Sequence, residues 1–137
     1  MDENLFGERY EALVAEAKAA HPLERLRMAA SIARNVYDSE KSEMGLLRGA
    51  SAFSAELKEL ERELEQRRFE RQEATVRILA NEKTLIPGLQ VGRAREILWA
   101  LTSRDIYRML VIERGWSPSA YEKWLAKILV RALTESR

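Results

Sequence analysis

Apolar residues recur along most of the chain at spacings of three and four, the pattern of one face of an α-helix. A first stripe covers residues 6–17. A second, over residues 26–37, follows Pro22, a residue suited to the first position of a helix. A polar break at residues 38–42 separates the second stripe from a shorter one over residues 44–53. The pattern therefore predicts three helices in this part of the chain.

A long fourth helix is predicted from Ser54, which is placed to cap it, to about Lys83. Arginine and glutamine interrupt its apolar stripe at residues 66–72. Two interpretations remain open for this interruption. Either the whole segment is a solvated face with apolar arginine stems, or a side chain such as Arg68 or Gln72 turns inward to meet a polar group of a ligand.

Capping and turn residues divide the rest of the apolar sequence into separate helices. Pro87 and Gly88 predict a turn, after which a fifth helix begins near Val91. Thr102 and Asp105 have the spacing of a capping box, which predicts a new helix inside one continuous apolar stretch.

The sixth predicted helix ends at Gly115. Ser117 as cap and Pro118 at the first position then begin the last helix. Trp116 and Tyr121 are spaced to form a hydrophobic staple across this start.

Size and composition agree with one folded domain. The chain has 137 residues, of which 46% are hydrophobic and 33% charged, enough to bury a core without a metal or a disulfide. Strand patterns are nearly absent. We therefore predict an all-α fold, a helical bundle of about seven helices that forms a single domain over residues 1–137.

Charge and residue usage argue against several classes of function. Lys and Arg number 23 against 22 Asp and Glu, which does not favour nucleic-acid binding by this chain itself. The chain has no cysteine and a single histidine, His21, so zinc sites, Ser-His-Asp catalysis and di-iron sites lack their residues. We expect His21 to be a solvated residue between helices, and we expect no enzyme activity, no metal and no cofactor.

The sequence also has no apolar run long enough to cross a bilayer, a span that needs about 18–20 residues. We also expect no secretory leader, because Asp2 and Glu3 directly follow Met1. We therefore expect a cytoplasmic protein without membrane contact.

The C-terminal part is more apolar than the surface of a monomer usually allows. Of the 37 residues in 97–133, 22 are apolar, and all three tryptophans lie there. A helix that is apolar nearly all round needs burial on more than one side, which favours a homodimer over a helix through the centre of its own domain. The predicted interface comprises Ile106, Met109, Leu110, Tyr121, Trp124, Leu125, Ile128 and Leu129.

Four segments of this region resemble the C-terminal part of TetR-family transcriptional regulators. They are LWALTS at 98–103, YRML at 107–110, ERGWSP at 113–118 and YEKWL at 121–125. Residues 22–26 and 87–89 also look like segments of that family's sensor domain, and residues 2–6 are similar to the segment that follows its DNA-binding helices. The resemblance implies the effector-sensing and dimerisation half of a bacterial regulator, without the helix-turn-helix. It follows that we expect the chain to be a fragment, which contacts DNA only through the missing N-terminal domain.

The resemblance further implies a ligand pocket walled by the second to fourth helices and the helix that carries Trp99. Apolar lining with few polar groups is usual for a small-molecule site. We therefore expect a lipophilic or amphipathic effector, anionic if an arginine turns inward. The predicted lining comprises Ile32, Tyr37, Met44, Leu47, Phe53, Leu64, Arg68, Gln72 and Trp99.

One alternative explains the apolar C-terminal part equally well. The chain would then be a stand-alone helical module that dimerises or binds another helical protein and has no DNA-binding function. A helix-turn-helix encoded in frame upstream of Met1 would favour the regulator, and its absence would favour the stand-alone module.

Overall fold

A computed structural model describes residues 21–51 and 54–134 of the chain, without the side chains of residues 41–51 and Leu57. The first predicted helix, over residues 6–17, lies outside the described residues. The described ranges are helical apart from turns and one isolated β-bridge between Leu85 and Thr134. The all-α class is therefore confirmed.

The described part contains four helices of 11 residues or more, fewer than the predicted total of about seven. A short α-helical turn that continues directly into a π-helix lies between the third and the last of them. The elements are α1 (Pro22–Ser51), α2 (Ala55–Asn81), α3 (Val91–Leu101), α4 (Arg104–Tyr107), the π segment (Arg108–Glu113) and α5 (Pro118–Leu133).

The predicted break at residues 38–42 is wrong, because α1 continues through it without interruption. The break contains neither proline nor glycine, the two residues that disfavour helix most strongly. Two of its polar side chains also find partners on the rest of the bundle. Asp38 accepts a hydrogen bond from the Tyr107 hydroxyl at 3.3 Å, and Glu40 pairs with Arg104 at 2.9 Å.

The core lies mainly between α1 and α5, with α2 packed on α3 beside it. Buried residues follow every third or fourth position along both helices, as the apolar stripes predict. Tyr107 joins the two helices, because its ring lies 5.6 Å from that of Tyr37 and 5.0 Å from that of Tyr121. The buried side chains of α1 and α5 are Leu26, Ala30, Ala33, Tyr37, Tyr121, Leu125, Leu129 and Leu133.

The start of α5 is the one that local sequence predicts. The Ser117 hydroxyl accepts the backbone N–H of Ala120 at 3.0 Å, and Pro118 occupies the first turn. Gly115 has φ +75°, in the left-handed region that glycine tolerates, and it follows the end of the π segment.

Two other local predictions are wrong. The cap of α4 is Ser103, whose hydroxyl accepts from the N–H of Ile106, whereas Thr102 ends α3. The predicted staple of Trp116 on Tyr121 is absent, since the Trp116 ring packs edge-on against Trp124 with centroids 6.0 Å apart. Tyr121 is instead enclosed in the core, where its ring meets Tyr107.

Candidate functional site

An open groove of about 1020 Å³ runs between α2 and α3 and is called the α2–α3 groove below. Two aromatic residues line it, Phe69 from α2 and Trp99 from α3. Their rings meet edge to face at 80°, with centroids 5.9 Å apart, a favoured arrangement for aromatic pairs. The charged residues of its described lining are Lys58, Glu61, Arg62, Glu65 and Glu96.

Each aromatic ring of the groove carries an arginine on its face. The Arg68 guanidinium lies 5.4 Å from the centroid of the Trp99 ring. The Arg95 guanidinium lies 3.9 Å from the centroid of the Phe69 ring and donates from Nε to the Phe69 carbonyl at 2.9 Å. Such cation–π contacts stabilise the ring positions, so each aromatic wall is held in place by an arginine from the opposite helix.

A chain of four alternating charges links the groove to α1 and α4. Arg68 donates from Nε at 3.0 Å and from Nη2 at 2.8 Å to one oxygen of Glu65. Arg104 donates to the other oxygen of Glu65 at 3.2 Å and to Glu40 at 2.9 Å. The Arg68 and Arg104 side chains are only 14% and 17% exposed, so this network is screened by solvent far less than a surface ion pair.

Thr102, at the end of α3, is the point where this network meets the backbone. Its hydroxyl accepts from Arg68 at 2.7 Å and from Gln72 at 2.8 Å, and it donates to the Leu98 carbonyl at 2.7 Å. Its own carbonyl accepts a 2.5 Å hydrogen bond from the Tyr37 hydroxyl. Three helices, α1, α2 and α3, are therefore joined at one buried residue.

Burial changes the ionisation of the groups around Thr102. Burial raises the pKa of Tyr37 to about 12 by disfavouring the phenolate, although Arg68 and Arg104 act in the opposite direction. For Arg104, burial lowers the pKa, but attraction to Glu40, Tyr37 and Glu65 is larger and leaves the pKa raised. Both groups therefore hold their protons throughout the physiological range.

Four of the predicted pocket residues lie at or next to the groove. Trp99 is part of its wall, whereas Tyr37, Arg68 and Gln72 converge on Thr102 behind it. Arg68 and Gln72 do turn inward, but the groups they meet belong to the chain itself.

The other predicted pocket residues are not brought together by the described structure. Ile32 on α1 and Leu64 on α2 are half-buried, and neither is part of the described groove lining. The side chains of Met44, Leu47 and Phe53 lie outside the described residues.

Sequence reasoning missed Glu65 and Phe69, both of which line the groove. Glu65 is three residues before Arg68, the spacing of a helical ion pair, and Phe69 is the single aromatic residue within the interruption at 66–72. These two signals were present in the sequence. The sequence contains no comparable signal for the second partner of Glu65, because Arg104 on α4 is 39 residues away.

The predicted dimer residues divide into two groups. Tyr121, Leu125 and Leu129 have no exposed surface in the single chain. These three side chains therefore belong to the core of the single chain. The remaining predicted interface residues keep some exposed surface; they are Ile106, Met109, Leu110, Trp124 and Ile128.

Two more exposed side chains lie in the same part of the chain. Ile112 is the last residue of the range 106–112 that is expected to pack in the dimer, whereas sequence reasoning missed Trp116. Ile112 and Trp116 are 48% and 36% exposed, beside Met109 at 43%. These three are the large exposed apolar residues in the described part of residues 104–134, and they are called the 109–116 patch below.

In the described ranges, no three histidine, aspartate or glutamate side chains are grouped so as to hold a metal ion. None of the described helices combines the length and the apolar character that a membrane span requires. Comparison with protein-family models, with curated proteins and with solved structures found no match to this chain.

Proposed function

We propose that this chain is the effector-sensing and homodimerisation domain of a TetR-like bacterial transcriptional regulator. The observation that carries the proposal is the α2–α3 groove, an aromatic-walled groove large enough for an organic molecule. The effector is a lipophilic or amphipathic molecule that lies on Phe69 and Trp99. DNA contact belongs to a helix-turn-helix attached to this domain.

Groove binding has a direct physical route to a change in helix arrangement. The walls of the groove come from two different helices, α2 and α3, and Arg68 joins its lining residue Glu65 to Thr102. A ligand that contacts both helices stabilises the relative position that fits it better. It shifts the arrangement only by its difference in affinity for the two positions.

The homodimer part of the proposal is supported by the 109–116 patch. Several large apolar residues exposed within one short segment, here residues 109–116, are a feature of many protein contact surfaces. A two-fold dimer buries such a patch twice, once on each subunit.

A ligand screen followed by tryptophan fluorescence tests the effector function. Fatty acids, aromatic acids and hydrophobic drugs are compared with divalent metals and nucleotides by thermal shift. We expect stabilisation by members of the first group, together with a change in fluorescence that disappears in Trp99→Phe. The matched variants Trp116→Phe and Trp124→Phe should keep the response, because those two rings pack on each other away from the groove lining. Stabilisation confined to metals or nucleotides would contradict the proposal.

The stand-alone interaction module remains the second candidate, favoured by the exposure of the 109–116 patch. Its partner surface needs no ligand and no attached DNA-binding domain. Two results would support it over the regulator: no response of Trp99 to any compound of the screen, and no helix-turn-helix encoded in frame upstream.

A further inference from the structure

The two arginines behind the α2–α3 groove meet on one carboxylate. Arg68 from α2 and Arg104 from α4 bind opposite oxygens of Glu65, with three donor–acceptor distances between 2.8 and 3.2 Å. Glu65 is also part of the groove lining. We call the position between the two guanidiniums the Arg68–Arg104 seat. Glu65 occupies this seat, and because Glu65 also lines the groove, the seat borders the groove.

The seat requires an anion. Both guanidiniums are largely buried, and a buried charge without a partner of opposite sign is strongly destabilising. Arg104 has a second carboxylate, Glu40, but for Arg68 the described structure shows Glu65 as its only acidic partner. The two arginines together offer three N–H donors to the two oxygens of Glu65. Since the carboxylate of a ligand presents the same two acceptor oxygens, the seat does not distinguish Glu65 from it.

The aromatic faces of the groove favour a negatively charged ligand over a positively charged one, although the charged residues of the lining are three glutamates against Lys58 and Arg62. A ligand cation could gain from the faces of aromatic rings, but Arg68 and Arg95 already lie on the Trp99 and Phe69 faces. A second cation at these rings would be repelled by the arginines. An anion that approaches the same rings is attracted by the two arginines.

We propose that an amphipathic carboxylate binds in the groove and that its carboxylate displaces Glu65 from the seat. The apolar body of this ligand then lies on Phe69 and Trp99. Without the ligand, Glu65 occupies the position of the ligand's carboxylate. This inference rests on the proposed function. The displaced Glu65 has a cation within reach, because Arg62 lies one helical turn earlier and also lines the groove. Arg62 donates to Glu59 at 2.6 Å in an exposed pair, and Glu65 would share or replace that partner. Arg68 keeps its hydrogen bond to Thr102 during the exchange, which ties the seat to the end of α3.

Two series of three probes test the proposal, and within each series the probes are compared by their head group. Decanoate and 2-naphthoate are compared with the corresponding alcohols, decanol and 2-naphthylmethanol, and with the ammonium compounds decylammonium and 2-naphthylmethylammonium. Binding to the whole chain is measured by calorimetry and by the fluorescence of Trp99. We expect at least one carboxylate to bind about tenfold more tightly than its own alcohol and ammonium analogues, since only the carboxylate makes charge-assisted hydrogen bonds in the seat.

Variants then separate the seat from a general effect of charge. Glu65→Gln removes the competing negative charge and should tighten carboxylate binding by about fivefold or more. Glu96→Gln removes one negative charge from another part of the lining, where Glu96 makes only an exposed 3.6 Å pair with Arg93. The change in carboxylate affinity in Glu96→Gln measures the through-space effect of removing one negative charge. The gain in affinity in Glu65→Gln must exceed that change severalfold. Glu73→Gln, whose exposed pair with Arg77 lies on α2 outside the described lining, is the unchanged control.

The outcomes distinguish this inference from the proposed function. Equal binding of carboxylate and alcohol, preference for the ammonium compounds, or equal gains in Glu65→Gln and Glu96→Gln would overturn the seat and leave the effector-binding groove standing. If none of the probes binds and the wider screen is also negative, the proposed function fails together with it. Circular dichroism of each variant shows that a change in affinity is not a loss of fold.

Discussion

The hydroxyl of Tyr37 donates a 2.5 Å hydrogen bond to the backbone carbonyl of Thr102, 65 residues further along the chain. Thr102 is the C-cap of α3, where a helix leaves carbonyl groups without partners in the helix itself. The Tyr37 hydroxyl on α1 thus gives the buried carbonyl at the end of α3 a hydrogen-bond donor. It also fixes the junction between α3 and α4 against α1.

Tyr37→Phe should lower the free energy of unfolding by about 1–2 kcal/mol, because it removes the donor and leaves the Thr102 carbonyl buried without it. Urea denaturation measures the loss. Tyr121→Phe is the matched control, since the Tyr121 hydroxyl is buried and has no hydrogen-bond partner in the described structure. This second variant should be neutral or slightly stabilising, and equal losses in the two would contradict the role given to the Tyr37 hydroxyl.

Thr102→Val should destabilise the chain by about 2–4 kcal/mol, since it leaves donors of Arg68 and Gln72 largely buried without their acceptor. Valine keeps the shape of threonine and lacks only the hydroxyl, so the loss reports the hydrogen bonds. Thr102→Ser retains the hydroxyl and should cost less than about 1 kcal/mol. If valine and serine are equally well tolerated in urea denaturation, Thr102 does not organise the network.

Alkaline conditions should destabilise the fold through its buried tyrosines. Burial raises the pKa of Tyr37 and of Tyr107 to about 12 from the ordinary 10.0, and the pKa of Tyr121 is raised further. Above pH 10 the unfolded chain therefore holds fewer protons than the folded chain, and stability falls as the pH rises. The contribution of Tyr37 and Tyr107 is fully present below pH 10 and is lost between pH 10 and about 12, whereas that of Tyr121 continues to fall at higher pH.

Near-ultraviolet absorbance of the phenolates follows this titration, and urea denaturation over the same pH range follows the stability. Tyr37→Phe removes one of the groups and should make the decline less steep. Titration of all the phenols of the folded chain near pH 10 would contradict the prediction.

Light scattering should find the chain as a homodimer at tens of micromolar. Ile112→Glu places two charges in a two-fold contact and should give a folded monomer, because Ile112 is half-exposed and outside the core. Leu125→Glu should unfold the chain instead, since Leu125 is fully enclosed. A monomeric wild-type chain, or an Ile112→Glu variant that stays dimeric, would exclude the 109–116 patch as the contact surface.

The sequence by itself determined the features that depend on near neighbours. The all-α class, the start of α3 at Val91 and the cap of α5 at Ser117 all follow from periodicity and from hydrogen bonds within one turn. So does the end of the preceding segment near Gly115. Each of these requires only residues a few positions apart, which is why sequence pattern was sufficient.

Tertiary structure alone decided the features that join distant residues. Asp38 and Glu40 remain inside a continuous α1, where they meet Tyr107 and Arg104. Arg68 turns inward because Thr102 and Glu65 together satisfy it. For Leu125 the apolar pattern is the same whether the side chain faces its own core or a partner. The packing of α1 on α5 encloses it within the single chain. The sequence pattern could not decide this, because the hydrophobic effect is non-directional and favours burial against either surface.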